Sequence, residues 1–208
     1  MWEESVHLNE IVVNAALFAH TTGSIHLHEN PKQAALHDLF IDNVSSEGIT
    51  LKPDRNKISF FKHNFGNRRC DYIILSETEK KRVALFVEMK STSLSDIDIE
   101  EGFPHDLGHG YPDCVQQLRS TSCFFDFIDL VLQDYCKCNA LSNYSKAKHR
   151  YFVVFHSKKT LNALSSNQLL LPIRPTRLPC NNTPQTALIL YAENNNHLSF
   201  EQLILPDD

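Results

Sequence analysis

The chain has 208 residues, of which 42% are hydrophobic and 22% charged, a composition that excludes a disordered chain and predicts one folded domain. Lysine and arginine number 20 against 25 aspartate and glutamate residues, giving a formal net charge of -5, which argues against coating of nucleic acid by bulk attraction but permits a local basic face. No apolar run approaches the roughly 20 residues of a membrane span, and the acidic start MWEESVHLNE is unlike a secretion signal. We therefore expect a cytoplasmic protein without membrane contact.

Helical spacing of apolar residues comes first along the chain. A first helix is predicted from Ser5 to about His20, with Ser5 as its N-cap. Pro31 is suited to open a second helix that continues through Leu36 to Phe40. Between these helices, His26 and His28 would share one face of a strand, but no further ligand is evident beside them, so we interpret both as incidental.

Short β-branched and aromatic runs follow Gly48 and predict consecutive strands of one sheet. These runs are Ile49 to Leu51, Ile58 to Phe61, Tyr72 to Leu75 and Val83 to Met89. The next segment, Ser91 to Tyr111, holds acids, glycines and a proline, and is predicted to be a long irregular connection over the surface.

The remaining chain predicts a helix and further strands. A long amphipathic helix runs from Pro112 to about Cys136, and Tyr151 to Phe155 forms a buried strand. A short helix is predicted from Lys159 to Leu170, and a terminal β-hairpin from Ala187 to Tyr191 and Leu198 to Leu205 around three asparagines. This order predicts an α/β sandwich in a single domain, residues 1–208, with its core at about 5–160 and a C-terminal extension at 161–208.

Three charged residues on or beside the central strands are the strongest indication of function. Glu88 and Lys90 must share a face of their strand because side chains alternate. If the strand after Asp71 pairs with theirs as a hairpin, Asp71 comes near Glu88. Two carboxylates can hold Mg²⁺ that also contacts a phosphate oxygen, and the lysine can orient a water or offset developing charge. A Glu88–Lys90 ion pair at a strand edge is the structural alternative.

This pattern resembles the PD-(D/E)xK nuclease superfamily, which includes restriction endonucleases, recombination nucleases and many prokaryotic defence effectors. Asp71, Glu88 and Lys90 match its motif, although Cys70 stands in place of the proline. Gln117 matches a glutamine with which several branches support the site. Glu10 is our candidate for the glutamate of a preceding helix.

The resemblance implies a restriction-endonuclease-like mixed β-sheet flanked by helices and a metal-dependent hydrolase of phosphodiester bonds. Asp71 and Glu88 would bind Mg²⁺, for which Mn²⁺ could substitute, Lys90 would be the catalytic lysine and Gln117 a supporting group. DNA is implied as substrate more often than RNA, and prokaryotic antiviral defence is a role by analogy. So short a chain would act as a homodimer or within a larger complex to select its target.

Other patterns leave alternatives open. His105 and His109, followed by Cys114 and Cys123, offer nitrogen and sulfur ligands at spacings that zinc accepts; a contribution to the nuclease site, contact with substrate, or an incidental role are the alternatives. A different class of function is a non-catalytic α/β interaction subunit, docking through the acidic run Asp96 to Glu101 or the apolar tail Leu198 to Leu205.

Two groups of basic residues flank the central strands and could track a phosphate backbone if both face one cleft, with solvated loop charges as the alternative. The first group is Lys52, Arg55, Lys57, Lys62, Arg68 and Arg69, and the second is Lys146, Lys148, His149, Arg150, Lys158 and Lys159.

Overall fold

A computed structural model describes residues 18–30, 34, 36–53, 69–78, 81–90, 111–139, 141–144, 150–156, 168–173 and 185–204. Within these residues the elements in chain order are β1 (Phe18–His28), β2 (Asp38–Leu51), β3 (Tyr72–Glu77), β4 (Arg82–Lys90), α1 (Tyr111–Cys136), β5 (Arg150–His156), β6 (Gln168–Ile173), β7 (Gln185–Tyr191), β8 (Asn196–Ser199) and a 3₁₀ turn (Phe200–Leu203). No helix among the described residues is long and apolar enough to cross a membrane.

The strands form one mixed sheet in the order β1-β2-β3-β4-β5-β7-β6, and β8 pairs separately with β2. Strands β1 to β4 follow one another as antiparallel neighbours. The chain then passes through α1 and returns as β5, which is parallel to β4. The predicted mixed α/β architecture is confirmed at this coarse level, and the predicted strands at Tyr72 to Leu75 and Val83 to Met89 lie within β3 and β4.

Strands β3 and β4 are buried on both faces, which explains their nearly continuous apolar sequences. On one face, Ile73 and Phe86 pack against Leu118 and Phe125 of α1, which confirms the predicted long helix. The ring of Phe86 stacks on that of Phe152 in β5, with their centroids 5.0 Å apart. The Phe86 ring also meets the Phe125 ring of α1 edge-on, with centroids 5.9 Å apart, so aromatic packing holds α1 over this side of the sheet.

The opposite face is covered by strands, because the N-terminal half of β2 folds back over β3 and β4. Leu27 of β1 and Leu39 of β2 belong to the same buried cluster as Ile74 and Leu85. His28 pairs across from Asp38 at the start of β2. The backbone carbonyl of His28 also accepts hydrogen bonds from the Tyr72 hydroxyl at 2.7 Å and from Lys52 Nζ at 3.3 Å. Lys52 directly follows Leu51, the last residue of β2. Both ends of β2 therefore meet at one residue, which requires a curled strand.

Local irregularities allow this curl. Gly23 in β1 has φ of 75° and lies between two register shifts against β2, and Asn43 in β2 has φ of 62°. Glycine and asparagine are the residues that enter this left-handed region most readily, and bulges increase the bend of a strand pair. The β3–β4 pair consequently lies between α1 on one side and, on the other, a curled layer formed by β1, the N-terminal half of β2 and β8.

Several predicted helical segments are wrong where the structure describes them. Phe18–His20 begin β1, although residues 5–17 lie outside the described residues. Leu39 and Phe40 belong to β2, and Gln168 to Leu170 belong to β6. At Leu39 to Ile41 the alternate burial of every second residue, a strand pattern, prevails over the helical spacing of Leu36, Leu39 and Phe40. The predicted strand at Ile58 to Phe61 lies outside the described residues.

The predicted terminal hairpin is also wrong. β7 pairs with β5 and β6, whereas β8 runs parallel to β2. The asparagines between them attach to the start of β2: Asn194 Oδ1 accepts hydrogen bonds from the backbone N–H of His37 at 2.8 Å and of Asp38 at 3.2 Å. The backbone N–H of Asn195 donates to the Asp38 carbonyl at 2.8 Å. The turn thus fastens the C-terminal segment to β2 instead of closing a hairpin.

The segment after β8 fills the core. Phe200 and Leu203 are each 1% exposed and pack in the cluster that contains Leu27 and Leu39. These two apolar side chains of the tail are therefore not available for docking; Leu205 lies outside the described residues. The burial of Phe200 and Leu203 makes the tail a structural element of the curled layer.

Replacing Phe200 by alanine should therefore lower the free energy of unfolding by about 3 to 5 kcal/mol, the usual cost of emptying a buried phenylalanine site. Denaturant titration followed by circular dichroism would measure the change. Glu201→Ala, at an exposed neighbouring position, is the control and should change stability by less than about 0.5 kcal/mol. Equal stability of the Phe200→Ala variant and the wild type would contradict a core role for the tail.

Candidate active site

Asp71 lies beside the Glu88 segment at the open end of the β3–β4 pair. The register pairs Tyr72 with Val87, so the residue before β3 lies next to the last residues of β4. The carboxylate oxygen Oδ2 of Asp71 accepts a hydrogen bond from the backbone N–H of Met89 at 2.6 Å. A bond from a backbone N–H to an ionised carboxylate is among the stronger hydrogen bonds in proteins. It fixes the Asp71 carboxylate against β4.

Glu88 is a buried acid within an apolar strand. It is 1% exposed, and by alternation along β4 it lies on the same side as Ala84 and Phe86, which pack in the cluster formed with α1. An ionised carboxylate that has lost its hydration is costly, by several kcal/mol, unless a cation or a proton compensates for the charge. A strand built only for packing would not carry this residue here.

The segment that leads into Asp71 is attached to α1. The backbone N–H of Cys70 donates to Thr121 Oγ1 at 2.7 Å, and the Thr121 hydroxyl donates to the Gln117 carbonyl at 2.7 Å. The side-chain amide of Gln117 donates to the Arg69 carbonyl at 3.4 Å. Gln117 therefore contacts the chain two residues before Asp71 and acts as a positioning residue, not a group that touches a reacting atom.

Cys70 is a thiol enclosed next to both acids. Burial raises the pKa of the Cys70 thiol well above its ordinary value, the Thr121 contact opposes this, and the negative charges of Glu88 and Asp71 raise it further. The thiol donates a hydrogen bond to the Tyr72 carbonyl at 3.2 Å, a role that needs the proton. Cys70 is thus neither a nucleophile nor a thiolate ligand at neutral pH.

The other predicted site residues are only partly described. Lys90 is the last residue of β4, and its backbone is in register with His156 of β5; its side chain is outside the described parts. Glu10, His105 and His109 lie outside the described residues.

The cysteine half of the predicted zinc alternative is wrong, because Cys114 and Cys123 lie about two and a half turns apart on α1 and so face opposite sides of it. Cys114 is enclosed in the helix-side core, whereas Cys123 is only half-buried. The two sulfur atoms therefore cannot converge on one ion.

Three residues of the predicted basic face have structural roles. The Arg69 guanidinium is buried, lies 3.9 Å from the centre of the Phe124 ring and donates to the Pro53 carbonyl at 3.1 Å. Arg150 is buried and binds Asp126 through both terminal nitrogens. Lys52 donates to the Tyr72 hydroxyl. The other basic residues of the two groups lie outside the described residues, so the described part of the chain presents no continuous basic track from these groups.

A second cluster, formed by His26, His28 and Asp38, was missed by sequence reasoning. His26 Nε2 and His28 Nδ1 lie 2.6 and 2.8 Å from the same oxygen, Oδ1 of Asp38, and these ligand-type atoms all lie within 4.8 Å of one another. Hydrogen bonds from His28 and, to a smaller extent, His26 lower the pKa of the Asp38 carboxyl. The sequence shows the spacing of the two histidines, but its helical pattern places Asp38 in a helix and not across from His28, where the strand register puts it.

Comparison with family models, with curated proteins and with solved structures found no significant match. The two candidate sites differ in donor chemistry: the first presents carboxylate oxygens, which suit hard cations such as Mg²⁺, and the second adds imidazole nitrogens, which suit transition metals.

The Thr121 hydroxyl should be needed to position the Cys70–Asp71 segment. Thr121→Val keeps the side-chain shape but leaves the buried N–H of Cys70 without its acceptor, so it should cost about 1 to 3 kcal/mol in the free energy of unfolding. Thr121→Ser is the matched control, because it keeps the hydroxyl and loses only a methyl group. Urea titrations of both variants would test this, and a larger loss in the serine variant would indicate that packing, not the hydrogen bond, matters there.

Burial and the raised pKa of Cys70 predict resistance to alkylation. Native protein treated with iodoacetamide at about pH 8 should remain unmodified at Cys70, whereas unfolding in urea should expose it; peptide mapping by mass spectrometry would show both. The folded pKa lies above the unfolded value of about 8.5, so the stability contributed by the protonated thiol is present below that pH and is lost as pH rises towards the folded value. Rapid labelling of native Cys70 would contradict this account.

Proposed function

We propose that the chain is a metal-dependent nuclease of PD-(D/E)xK type that hydrolyses phosphodiester bonds. The observation that carries the proposal is the 2.6 Å hydrogen bond from the Met89 N–H to the Asp71 carboxylate. It seats one acid beside the strand residue that bears the second acid, Glu88. Two carboxylates, one of them buried, form a donor set that a divalent cation would stabilise.

Each residue has a role in this proposal. Asp71 and Glu88 hold Mg²⁺, or Mn²⁺ in its place, through carboxylate oxygens. The bound ion supplies charge stabilisation at the phosphate and a more acidic water. Lys90, two residues beyond Glu88 on β4, offsets negative charge that develops on the phosphate or takes part in deprotonating the attacking water. Gln117 holds the segment before Asp71 through the Arg69 carbonyl.

The sheet gives further support to a restriction-endonuclease-like fold. Three antiparallel strands, β2, β3 and β4, precede α1, and the chain then returns as β5 parallel to β4. This is a mixed sheet with a helix on one face, as the resemblance implies, but among the described residues strands, not helices, cover the other face. Fold likeness alone does not define a reaction, so the proposal depends on the acids at the end of the β3–β4 pair.

The substrate is proposed to be DNA in preference to RNA, with antiviral defence as a biological setting that rests on the resemblance. Action as a homodimer or within a larger complex would supply target selection that one small domain lacks. Sedimentation of the purified chain, alone and with a DNA duplex, would establish the assembly that binds.

The proposal is tested by incubating the purified chain with linear, circular and single-stranded DNA and with RNA, in Mg²⁺, Mn²⁺ or EDTA. We expect metal-dependent cleavage that falls by about 100-fold or more in Asp71→Asn, Glu88→Gln and Lys90→Ala variants. Glu77→Gln is the matched control, since Glu77 is an acid at the other end of β3, where it pairs with Arg82. Cleavage that persists in Glu88→Gln would place the activity elsewhere.

A thermal melt provides a readout that does not need the correct substrate. Ions that bind the folded state raise its melting temperature, so Mg²⁺ should stabilise the wild type but not Glu88→Gln. Absence of both cleavage and a metal-dependent shift in the wild type would refute the nuclease.

A non-catalytic interaction subunit is the second candidate, and one observation favours it. Helix α1 exposes three large apolar side chains: Phe127 is 48% exposed, Leu130 56% and Tyr135 84%. Exposed apolar side chains on one helix are typical of surfaces that bind other proteins. Among the predicted docking segments, Asp96 to Glu101 lies outside the described residues, and Phe200 and Leu203 of the tail are buried.

A further inference from the structure

The outer surface of the curled strands carries a row of histidines and acids that the proposed nuclease does not use. Ile25 and Leu27 of β1 face the core, so the alternate residues His26 and His28 face outwards, with side chains 48% and 50% exposed. Asp38 of β2 is paired across from His28. Glu88 and Asp71 instead lie at the α1 side of the sheet, so this is a separate group of side chains.

We propose that His26, His28 and Asp38 bind one transition-metal ion of the Zn²⁺ class and leave a coordination position open to an external ligand. Three protein ligands plus one exchangeable position are the usual pattern of reactive or ligand-accepting zinc sites, whereas structural sites are closed by four protein ligands. Two imidazoles and one carboxylate favour Zn²⁺, Co²⁺, Ni²⁺ or Cu²⁺ over Mg²⁺. The site is therefore chemically distinct from the paired carboxylates.

The distances between the ligand atoms fit such an ion after a small adjustment. Both ring nitrogens already converge on one carboxylate oxygen, at 2.6 and 2.8 Å. Ligand atoms on a tetrahedral zinc ion lie about 3.3 Å apart, given metal–ligand bonds of about 2.0 to 2.1 Å. Metal entry therefore widens these two contacts by roughly half an ångström and brings the two ring nitrogens, which lie within 4.8 Å of each other, to the same spacing. The exposed side chains can supply this by small rotations without moving the backbone.

The surroundings hold the three ligands in place. The backbone of Asp38 is fixed from both sides, because its N–H donates to the Asn194 side chain and its carbonyl accepts from the Asn195 N–H. His37 Nε2 lies 3.3 Å from the second carboxylate oxygen, Oδ2. The His26 ring stacks on Phe40 with centroids 4.6 Å apart and planes 8° from parallel. Contacts of this kind orient metal ligands and strengthen binding.

A neighbouring histidine provides an internal control. His197 of β8 stacks on the other face of Phe40, also at 4.6 Å, and its Nδ1 lies 2.9 Å from Asp42. It is thus an exposed histidine on the same surface with its own carboxylate partner, but it does not belong to the three-ligand group. Its replacement changes the surface charge and the aromatic stack without removing a proposed ligand.

The test is titration of the EDTA-treated full chain with Zn²⁺ by calorimetry, and with Co²⁺ by its visible absorption bands. We expect the wild type to bind one more ion than His28→Asn or Asp38→Asn, or to bind its tightest ion at least about 100-fold more strongly, the upper end of the loss usual for changes next to a metal site. His197→Asn should retain wild-type affinity. Metal-free melting temperatures of all variants should agree within a few degrees, since the replaced side chains are at the surface.

Equal zinc affinity and stoichiometry in the wild type, His28→Asn and Asp38→Asn would overturn the proposal, as would an equal loss in His197→Asn. Glu88→Gln separates this site from the proposed nuclease, because it should abolish the Mg²⁺-dependent thermal shift and leave the zinc-binding event that His28→Asn removes unchanged, even though Zn²⁺ can also occupy the paired carboxylates. Loss of the same zinc-binding event in Glu88→Gln and in His28→Asn, with no further loss in the double variant, would contradict a separate site.

Discussion

The pairing of β3 with β4, buried on both faces, is the constraint on which the rest of this structure depends. Two adjacent strands with apolar side chains on both sides need a cover over each face. Helix α1 covers one face through Leu118 and Phe125. The other is covered by a strand layer that exists because β2 curls back on itself, and the tail with Phe200 completes it. The length of β2, 14 residues, is thus a requirement of packing.

The same constraint determines where polar chemistry can lie. The middle of the pair is committed to packing, so its charged side chains lie at its two ends: Asp71 and Glu88 at the open end, and Glu77 with Arg82 at the turn. The segment before Asp71 is anchored through hydrogen bonds from Cys70 to Thr121 and from Gln117 to Arg69, which involve rigid helical positions. His26 and His28, by contrast, face outwards from the curled layer, since their neighbours Ile25 and Leu27 face inwards.

Sequence reasoning succeeded where structure depends on local pattern. The apolar runs of β3 and β4 and the long periodic segment of α1 could be identified because each pattern fits only one kind of secondary structure over many residues. It failed where pairing across the chain decides the outcome: Leu39 and Phe40 fit a helical period but form a strand with β1, and the asparagine turn resembles a hairpin but binds Asp38. The same failure hid the histidine cluster, because a ligand across a strand pair is visible only once the register is known.

Tyr72 links the two candidate sites, because its side chain hydrogen-bonds to the main chain of His28 and its own main chain follows Asp71 directly. Its hydroxyl donates to the His28 carbonyl and accepts from the His28 N–H, both at 2.7 Å, while its own backbone follows Asp71 directly. His28 is therefore held at its main chain by the strand that carries the first site and at its imidazole by Asp38.

Neither of these contacts to His28 involves the carboxylates of Asp71 and Glu88, so a metal ion bound at the histidine cluster can stabilise the curled layer without altering the donor set at the end of β4. Coupling between them would require a second arrangement of β2, because a rigid connection has no alternative state for a ligand to select. The curl of β2, with its positive φ at Asn43, is the element in which such an arrangement would have to arise.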